Sequence, residues 1–355
     1  MSAHLPTPNG ARADQPLLDV RHLKKYFPIQ RGFLRRVVGH VRAVDDVSFQ
    51  VRQGETLSLV GESGCGKTTT ARCILRALDP SAGEILFRTE HGEVVDVANV
   101  PRSRMRPLRR EMQMIFQDPF SSLNPRMTLL EIVGEPLLVN GVSSRAERIE
   151  RVAQLLRLVG LRPEFMRRFP HAFSGGQRQR IGIARALALE PRLVVADEAV
   201  SALDVSVQAQ ILNLLEDMKA RYRLTMIFIA HDLAVVKNVS DRVAVMYLGK
   251  LCELARPDAL YAEPRHHYTA ALLASIPIAD PTVRPGLVPD ALRGEPPSPL
   301  APPSGCRFRT RCPRAEARCA DEEPLLRAMG DDHWVACHFP VERAEFRPPG
   351  EPAPE

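Results

Sequence analysis

Eight residues of the chain have the types and spacing to grip a phosphate chain: Gly61-Glu62-Ser63-Gly64-Cys65-Gly66-Lys67-Thr68, followed by Thr69. They fill the pattern G-x-x-x-x-G-K-[ST] completely, after an apolar β-rich run, Thr56 to Val60, and before a helix read from Lys67 to Ala77. Glycines at these places let the backbone curl until successive N–H groups face one phosphate, and a helix N-terminus adds partial positive charge. Lys67 is the residue to reach the β- and γ-phosphates. Thr68 offers a hydroxyl to Mg²⁺, whose octahedron phosphate oxygens and waters complete. At Cys65 the loop needs only a small side chain. The competing reading, a chance Gly-rich turn, has the strand before it and the helix after it to explain.

A second set supplies charge for hydrolysis. Leu193-Val194-Val195-Ala196-Asp197-Glu198 is an apolar strand ending in two carboxylates. Asp197 is placed to join Thr68 around Mg²⁺, and Glu198 to orient and polarise a water for in-line attack on the γ-phosphate. Taken alone, an Asp-Glu pair after a buried strand also reads as an ordinary helix start.

The elements around these residues read as an α/β core. Short β-rich runs from Leu17 to Asp96, including Ala43 to Val51, suggest a β-subdomain that feeds the strand before the loop. From Met127 to Leu161 the pattern is helical, with Val152, Leu155, Leu156 and Val159 on one face. Buried strands at Leu193 to Ala196 and Thr225 to Ala230 then flank a helix from Val207 to Ala220, so a parallel sheet resumes. Nine Pro residues between Pro277 and Pro303 forbid regular structure and predict a stiff linker.

The bulk numbers fit this plan. The 355 residues, 45% hydrophobic and 25% charged, suit one large core with an appendage. The net charge of +6 points weakly at an anionic partner, because only six of the 48 basic residues are Lys and no basic run is interleaved with aromatics; no nucleic acid is expected. The N-terminus has no apolar signal region, and no stretch approaches ~18 apolar residues, so a cytosolic chain that borrows any membrane role from partners is predicted.

Further motifs follow in a fixed order. Gln117 comes after the apolar run Met112 to Phe116. Ser174-Gly175-Gly176-Gln177 opens an apparent helix, Ser201-Ala202-Leu203-Asp204 follows the carboxylate pair, and His231 closes the strand from Thr225. Together with the loop and the strand, these resemble the Q-loop, signature, D-loop and switch histidine of ABC ATPases, and Tyr26 is similar to the aromatic that stacks on adenine in that family. As isolated residues, His231 would read as a structural histidine and Tyr26 as packing. The resemblance implies an α/β P-loop NTPase fold: a RecA-like core, an antiparallel β-subdomain and an inserted helical subdomain, with a small Cys-rich C-terminal extension. It also implies ATP and Mg²⁺ as ligands, with Thr68, Gln117 and Asp197 around the metal and Gln117, Glu198, His231 and Lys67 catalytic. Two domains would sandwich two ATPs, so that Ser174 and Gly176 serve the opposite site. Ala199, where the family usually carries Pro, and Phe173, where it usually carries Leu, depart from the pattern without removing a catalytic group.

Gln117 to Pro125, Ser201 to Gln210 and the segment from Gly305 to His338 resemble the oligopeptide and dipeptide importer ATPases. That resemblance implies a subunit at the cytoplasmic face of the membrane, two integral-membrane permeases, a second homologous ATPase or a second copy of the chain, and an extracytoplasmic substrate-binding protein. Nickel importers share this subfamily, and a soluble ABC ATPase acting on nucleic acid is the rival of a different class. Cys306, Cys312, Cys319 and Cys337 form a C-x5-C-x6-C-x17-C set with no C-x-x-C pair. Four thiolates suit a soft metal, and the resemblance favours a 4Fe-4S cluster over Zn²⁺; free thiols are the alternative. The expected organisation is a disordered terminus at 1–16, an ATPase domain at 17–264 with its helical subdomain at 127–190, a linker at 265–303, the Cys-rich extension at 304–340 and a disordered tail at 341–355.

Overall fold

The computed structural model describes residues 15–32, 36–276, 295–342 and 346. The first 14 residues, residues 277–294 of the Pro-rich linker and nearly all of the tail therefore lie outside the described residues.

Two long strands, β1 (Pro16–Arg31) and β2 (Arg36–Arg52), pair antiparallel and lead into β3 (Thr56–Val60) and α1 (Lys67–Ile74). The chain then adds β4 (Ala82–Arg88), β5 (Val94–Asp96), α2 (Met105–Glu111) and β6 (Met112–Ile115). Strands β2, β1, β4 and β5 form one antiparallel sheet, in that order.

Helices α3 (Leu129–Val139), α4 (Arg145–Leu158) and α5 (Gly175–Leu187) make the helical part. Each start is dictated locally: Thr128, Ser144 and Ser174 cap the backbone N–H three residues on, and Glu131 and Gln177 complete capping boxes at the first and last. The core resumes with β7 (Leu193–Asp197), α6 (Val205–Tyr222), β8 (Thr225–Ile229), α7 (Leu233–Val239), β9 (Arg242–Tyr247), β10 (Lys250–Ala255) and α8 (Pro257–Ala262).

The stretch expected to be linker from residue 265 opens instead with a helix, α9 (His267–Ala274), whose Tyr268 is fully buried. The sequence region beyond the Pro residues contributes α10 (Ala317–Asp321), β11 (Arg327–Gly330) and β12 (His333–Val335). Strand β12 pairs with β10, so the C-terminal segment extends the main sheet, which runs β11-β12-β10-β9-β3-β8-β7-β6.

Alternation along the central strands divides the core. Leu193, Val195, Ile227, Ile229, Ala244 and Met246 face the antiparallel sheet, together with Leu57 and Leu59, while Val194, Ala196, Met226, Phe228, Val243 and Val245 face the helical side. Being covered on both faces, β3 (TLSLV), β7 and β8 are buried along their whole length. Strands β3, β8, β7 and β6 are parallel and in step: Leu59 lies opposite Ile229, Ile229 opposite Asp197, and Ile115 opposite Ala196. Their carboxyl ends thus open on one edge, where ligands of such sheets bind.

Candidate functional site

That edge receives the loop after β3, Gln117 after β6, Asp197 and Glu198 at the end of β7, and His231 after β8. The parallel register alone brings four sequence-distant motifs together.

The loop's shape is set by close backbone approach. Gly61 (φ 144°) and Gly66 (φ 109°) sit where a Cβ would meet the carbonyl oxygens of Met246 and Ala43 at 2.2 and 2.3 Å, so no other residue fits. Gly66 is also the N-cap of α1 and offers no side chain to its first N–H groups, which leaves them for an anion. Lys67 is buried, and its Nζ donates to the carbonyls of Gly61 (2.7 Å) and Glu62 (3.0 Å), which aim the ammonium along the loop. Burial pushes the Cys65 thiol up, against the nearby Lys67 charge, so it stays neutral within the loop.

Thr68 Oγ1 donates to Asp197 Oδ1 at 2.8 Å, as expected of two hard oxygen donors that share a cation. Burial raises the Asp197 carboxyl above its usual range despite the Thr68 hydrogen bond and the Arg72 charge. A carboxylate held this way gains from a divalent cation that favours its ionised form, so the donor set fits Mg²⁺.

Gln117 Nε2 donates to Glu198 Oε2 at 2.6 Å, and His231 Nδ1 lies 3.8 Å from the same oxygen. Glu198 itself has φ 46°, in the left-handed region, and its N–H donates to Ile229 O. The chain turns sharply after β7 and lifts the carboxylate out of the strand line toward Gln117 and His231. Ala199 and Val200 are buried directly behind this turn.

The predicted signature lies on a different element. Ser174 and Gln177 cap α5, and Gly176 is packed so tightly on α6 that an added Cβ would meet Val207 Cγ1 at 2.4 Å. Gly175 faces Leu203. Asp204 caps α6, accepting from Val207 N and Ser206 Oγ, and both bonds hold its carboxyl below the usual range, the Ser206 bond first. The hydrogen bonds made by Ser174, Gln177 and Asp204 stay within their own helix starts. The segment after Gln117 is in turn fastened to α5, by Arg178 over the Phe120 ring at 4.1 Å and by Arg185 donating to Ser122 O. Phe173, where a Leu was expected, packs edge-on against Phe165.

Tyr26 lies on β1, beside Asp45 and Arg42 of β2. Its hydroxyl is hydrogen-bonded to Asp45, Arg42 lies over its ring at 6.0 Å, and burial with the Asp45 bond raises its pKa to about 12.

The four C-terminal cysteines are free thiols, two half-buried and two buried. They lie near enough to raise one another, but burial is the larger cause and pushes Cys312 up to about 11 and Cys337 to about 12. Among the described residues no three His, Cys, Asp or Glu side chains are arranged to hold a metal ion. The expected 4Fe-4S or Zn²⁺ site thus has no preformed geometry among the described residues.

Residues that the sequence reading missed surround the loop from behind: Tyr268, Arg307 and Arg311. Arg311 Nη1 lies 2.9 and 3.1 Å from the Glu62 carboxylate oxygens, and Glu62 N donates to Tyr268 OH at 2.8 Å. No local pattern marks them, since the carboxylate and amide partners they meet at Asp45 and Glu62 are more than 200 residues away.

Comparison with known proteins agrees with this geometry. The ABC transporter family matches residues 44–201, and the oligopeptide/dipeptide transporter C-terminal region matches residues 252–319. The chain is 50% identical to the oligopeptide transport ATP-binding protein AppF of Bacillus subtilis, over 93% of this chain and 99% of that one. The chain belongs to the ABC transporter ATP-binding family. This ABC ATPase is also 53% identical to a probable peptide ABC transporter ATP-binding protein of Sinorhizobium fredii, over 94% and 93% of the two chains. Among solved structures it is similar to the dimeric ATP-binding cassette MJ0796 bound to ADP and phosphate, at a TM-score of 0.59 and 27% identity, covering 68% of this chain and 98% of that one. The ABC ATPase fold is thereby shown, and with it a chain that binds and hydrolyses ATP.

Proposed function

We propose that this ABC ATPase powers uptake of di- and oligopeptides, as one of two ATPase subunits beneath a pair of integral-membrane permeases fed by an extracytoplasmic binding protein. What supports the substrate class is the extent of similarity to proteins named for oligopeptide transport, which runs through the C-terminal region rather than stopping at the ATPase core. No helix among the described residues is long and apolar enough to cross a membrane, so permeases must supply the path and hold the chain at the membrane face.

In this reading Lys67 and the N–H groups of the loop bind the β- and γ-phosphates. Bound Mg²⁺ supplies charge neutralisation and would be held by Thr68 and Asp197, with Gln117 as the further candidate. Glu198 polarises the attacking water while Gln117 and His231 hold its carboxylate at the right place. Ser174 and Gly176 would serve the partner's nucleotide, so ATP is gripped from both sides only in a closed dimer, and hydrolysis removes that grip. The partner is a sibling ATPase or a second copy.

The helical part offers the permease a docking cavity of about 1100 Å³, lined by Met127, Leu130, Leu138, Val139, Ile149 and Met166 among others. Leu138 and Val139 are each 52% exposed, an apolar surface that a partner would cover. The 4Fe-4S reading of the four cysteines, with Zn²⁺ beside it, rests on their number and spacing and on the family resemblance. Anaerobic purification with iron, sulfide and zinc analysis tests it, and a metal-free protein retires both.

The whole proposal is tested by purifying the chain from its native membrane and identifying stoichiometric partners, with peptide uptake measured in vesicles of the same complex. Two permeases and ATP-dependent peptide uptake are expected. Recovery of ribosomes or DNA without permeases would overturn the transport reading while leaving the ATPase intact.

A further inference from the structure

The C-terminal segment between Cys306 and Cys312 forms the rear wall of the nucleotide loop. Arg307 bonds both the buried carboxylate of Asp45 and the carbonyl of Leu248. Phe308 fills an aromatic box with Tyr247, Tyr268 and His266, at ring-centroid distances of 5.3 to 5.8 Å. Arg311 then reaches through to the loop itself. Its side chain is only 8% exposed, and Nη1 is shared among both oxygens of Glu62 and the hydroxyl of Tyr247 at 3.3 Å.

Glu62 is the second residue of the phosphate-binding loop and is pinned at three points. Its carboxylate is held by Arg311, its N–H donates to Tyr268 OH, and its carbonyl accepts from Lys67 Nζ. The Tyr268 bond turns that N–H toward the wall, which leaves the amides further along to face phosphate. Further along, the Cys65 carbonyl accepts from Gly249 N at 2.8 Å, so the turn between β9 and β10 fixes the middle of the loop. A charge-assisted bond between a buried guanidinium and a partly exposed carboxylate holds its partners more firmly than a fully exposed pair would. No residue of the ATPase core between Lys67 and Arg242 takes part in holding the Glu62 carboxylate.

We propose that Arg311 is a positioning residue of the nucleotide site: through Glu62 it preforms the phosphate-binding loop, so the C-terminal segment is part of the ATP-binding apparatus. The proposal rests on the loop being the ATP site. Preforming lowers the cost of ordering the loop on binding, which acts on affinity and leaves the water-activating group Glu198 untouched. Loss of the strut therefore raises Kd and KM for ATP while kcat at saturating ATP holds.

The test is titration of the full-length chain with Mg-AMP-PNP, paired with steady-state ATP hydrolysis, for R311A, R311K, E62Q and R311A/E62Q, with thermal unfolding to confirm that each variant is folded. R311A and E62Q are each expected to weaken binding by roughly 10-fold, the size of a coupled contact pair. The double variant should be no weaker than either single, and R311K should fall between R311A and wild type. Wild-type affinity in folded R311A and E62Q would overturn the proposal, as would additive losses near 100-fold in the double variant, which would mean the two residues act separately. K67A serves as the control: if it too binds normally, the fault lies with the ATP-site assignment and not with the strut.

Discussion

Gln117 Nε2 and Glu198 Oε2 are 2.6 Å apart, although 81 residues separate them in sequence. This bond holds the carboxylate over the carboxyl edge of the sheet, with His231 on its other side. A general base needs that geometry before its pKa matters.

Glu198→Gln should therefore stop turnover by about 10² to 10⁴-fold, the usual worth of a positioned general base, while nucleotide binding survives. The amide retains the bond to Gln117 but cannot polarise water as a carboxylate does. Single-turnover hydrolysis and AMP-PNP titration separate the two; wild-type turnover would refute the role.

Lys67→Ala acts on binding instead. It removes a charged donor to phosphate, for which ~1.5–3 kcal/mol is a fair magnitude, so Kd for ATP should rise roughly 10 to 100-fold. Equilibrium titration gives the answer directly.

Gly176→Ala opposes two effects of known size. Alanine in a helix gains about 1 kcal/mol over glycine, whereas overpacking costs ~1–3 kcal/mol. The Cβ would stand 2.4 Å from Val207 Cγ1, on a β-branched side chain with little freedom to yield, so destabilisation should win. Adding Val207→Ala should restore the melting temperature, and if Gly176→Ala is neutral or stabilising, the contact does not hold α5 against α6.

His266 gives a pH signature. It is 2% exposed, and burial, with a smaller push from His267, lowers its pKa from 6.5 to about 3. Its Nδ1 accepts from Tyr268 N, which a protonated ring could not do. The folded state thus binds the proton less well than the unfolded chain. Its contribution to stability is complete above pH 6.5 and is lost as pH falls toward 3, by about 1.4 kcal/mol per unit in between. His266→Asn keeps an acceptor without the titration, so its stability should fall less steeply than wild type across that window. Parallel slopes in denaturant melts at several pH values would show that His266 does not set the dependence.

The nucleotide site was legible because its parts are local. A strand, a Gly-rich turn and a helix follow one another from Thr56 to Ile74, and β3 occupies the span the sequence predicted. Gln117, Asp197, Glu198 and His231 each end a strand, and parallel register then unites them. Tyr26 was read by its resemblance to the family's adenine-stacking aromatic, and the bond of its hydroxyl to Asp45 is fixed by strand pairing that local pattern does not carry. The helix at His267–Ala274 was masked by the Pro residues just beyond it, and Arg307 and Arg311 by partners far back in the chain. For the cysteines, spacing alone left metal and free thiol open, and the arrangement of the side chains in space is what spacing omits.

Strand β12 covers the flank of β10, at Glu253 and Leu254, and β11 beyond it is only four exposed residues long. The last part of the chain therefore also shields the molecule from its own copies. Without residues 304 onward, the backbone donors and acceptors of β10 would be open to pairing with any similar strand, and the buried carboxylate of Glu253 would lose His333. An ATPase core shortened to the nucleotide-site motifs would keep its catalytic groups and still be prone to aggregate, because the strand that keeps its sheet from growing lies beyond the Pro-rich stretch.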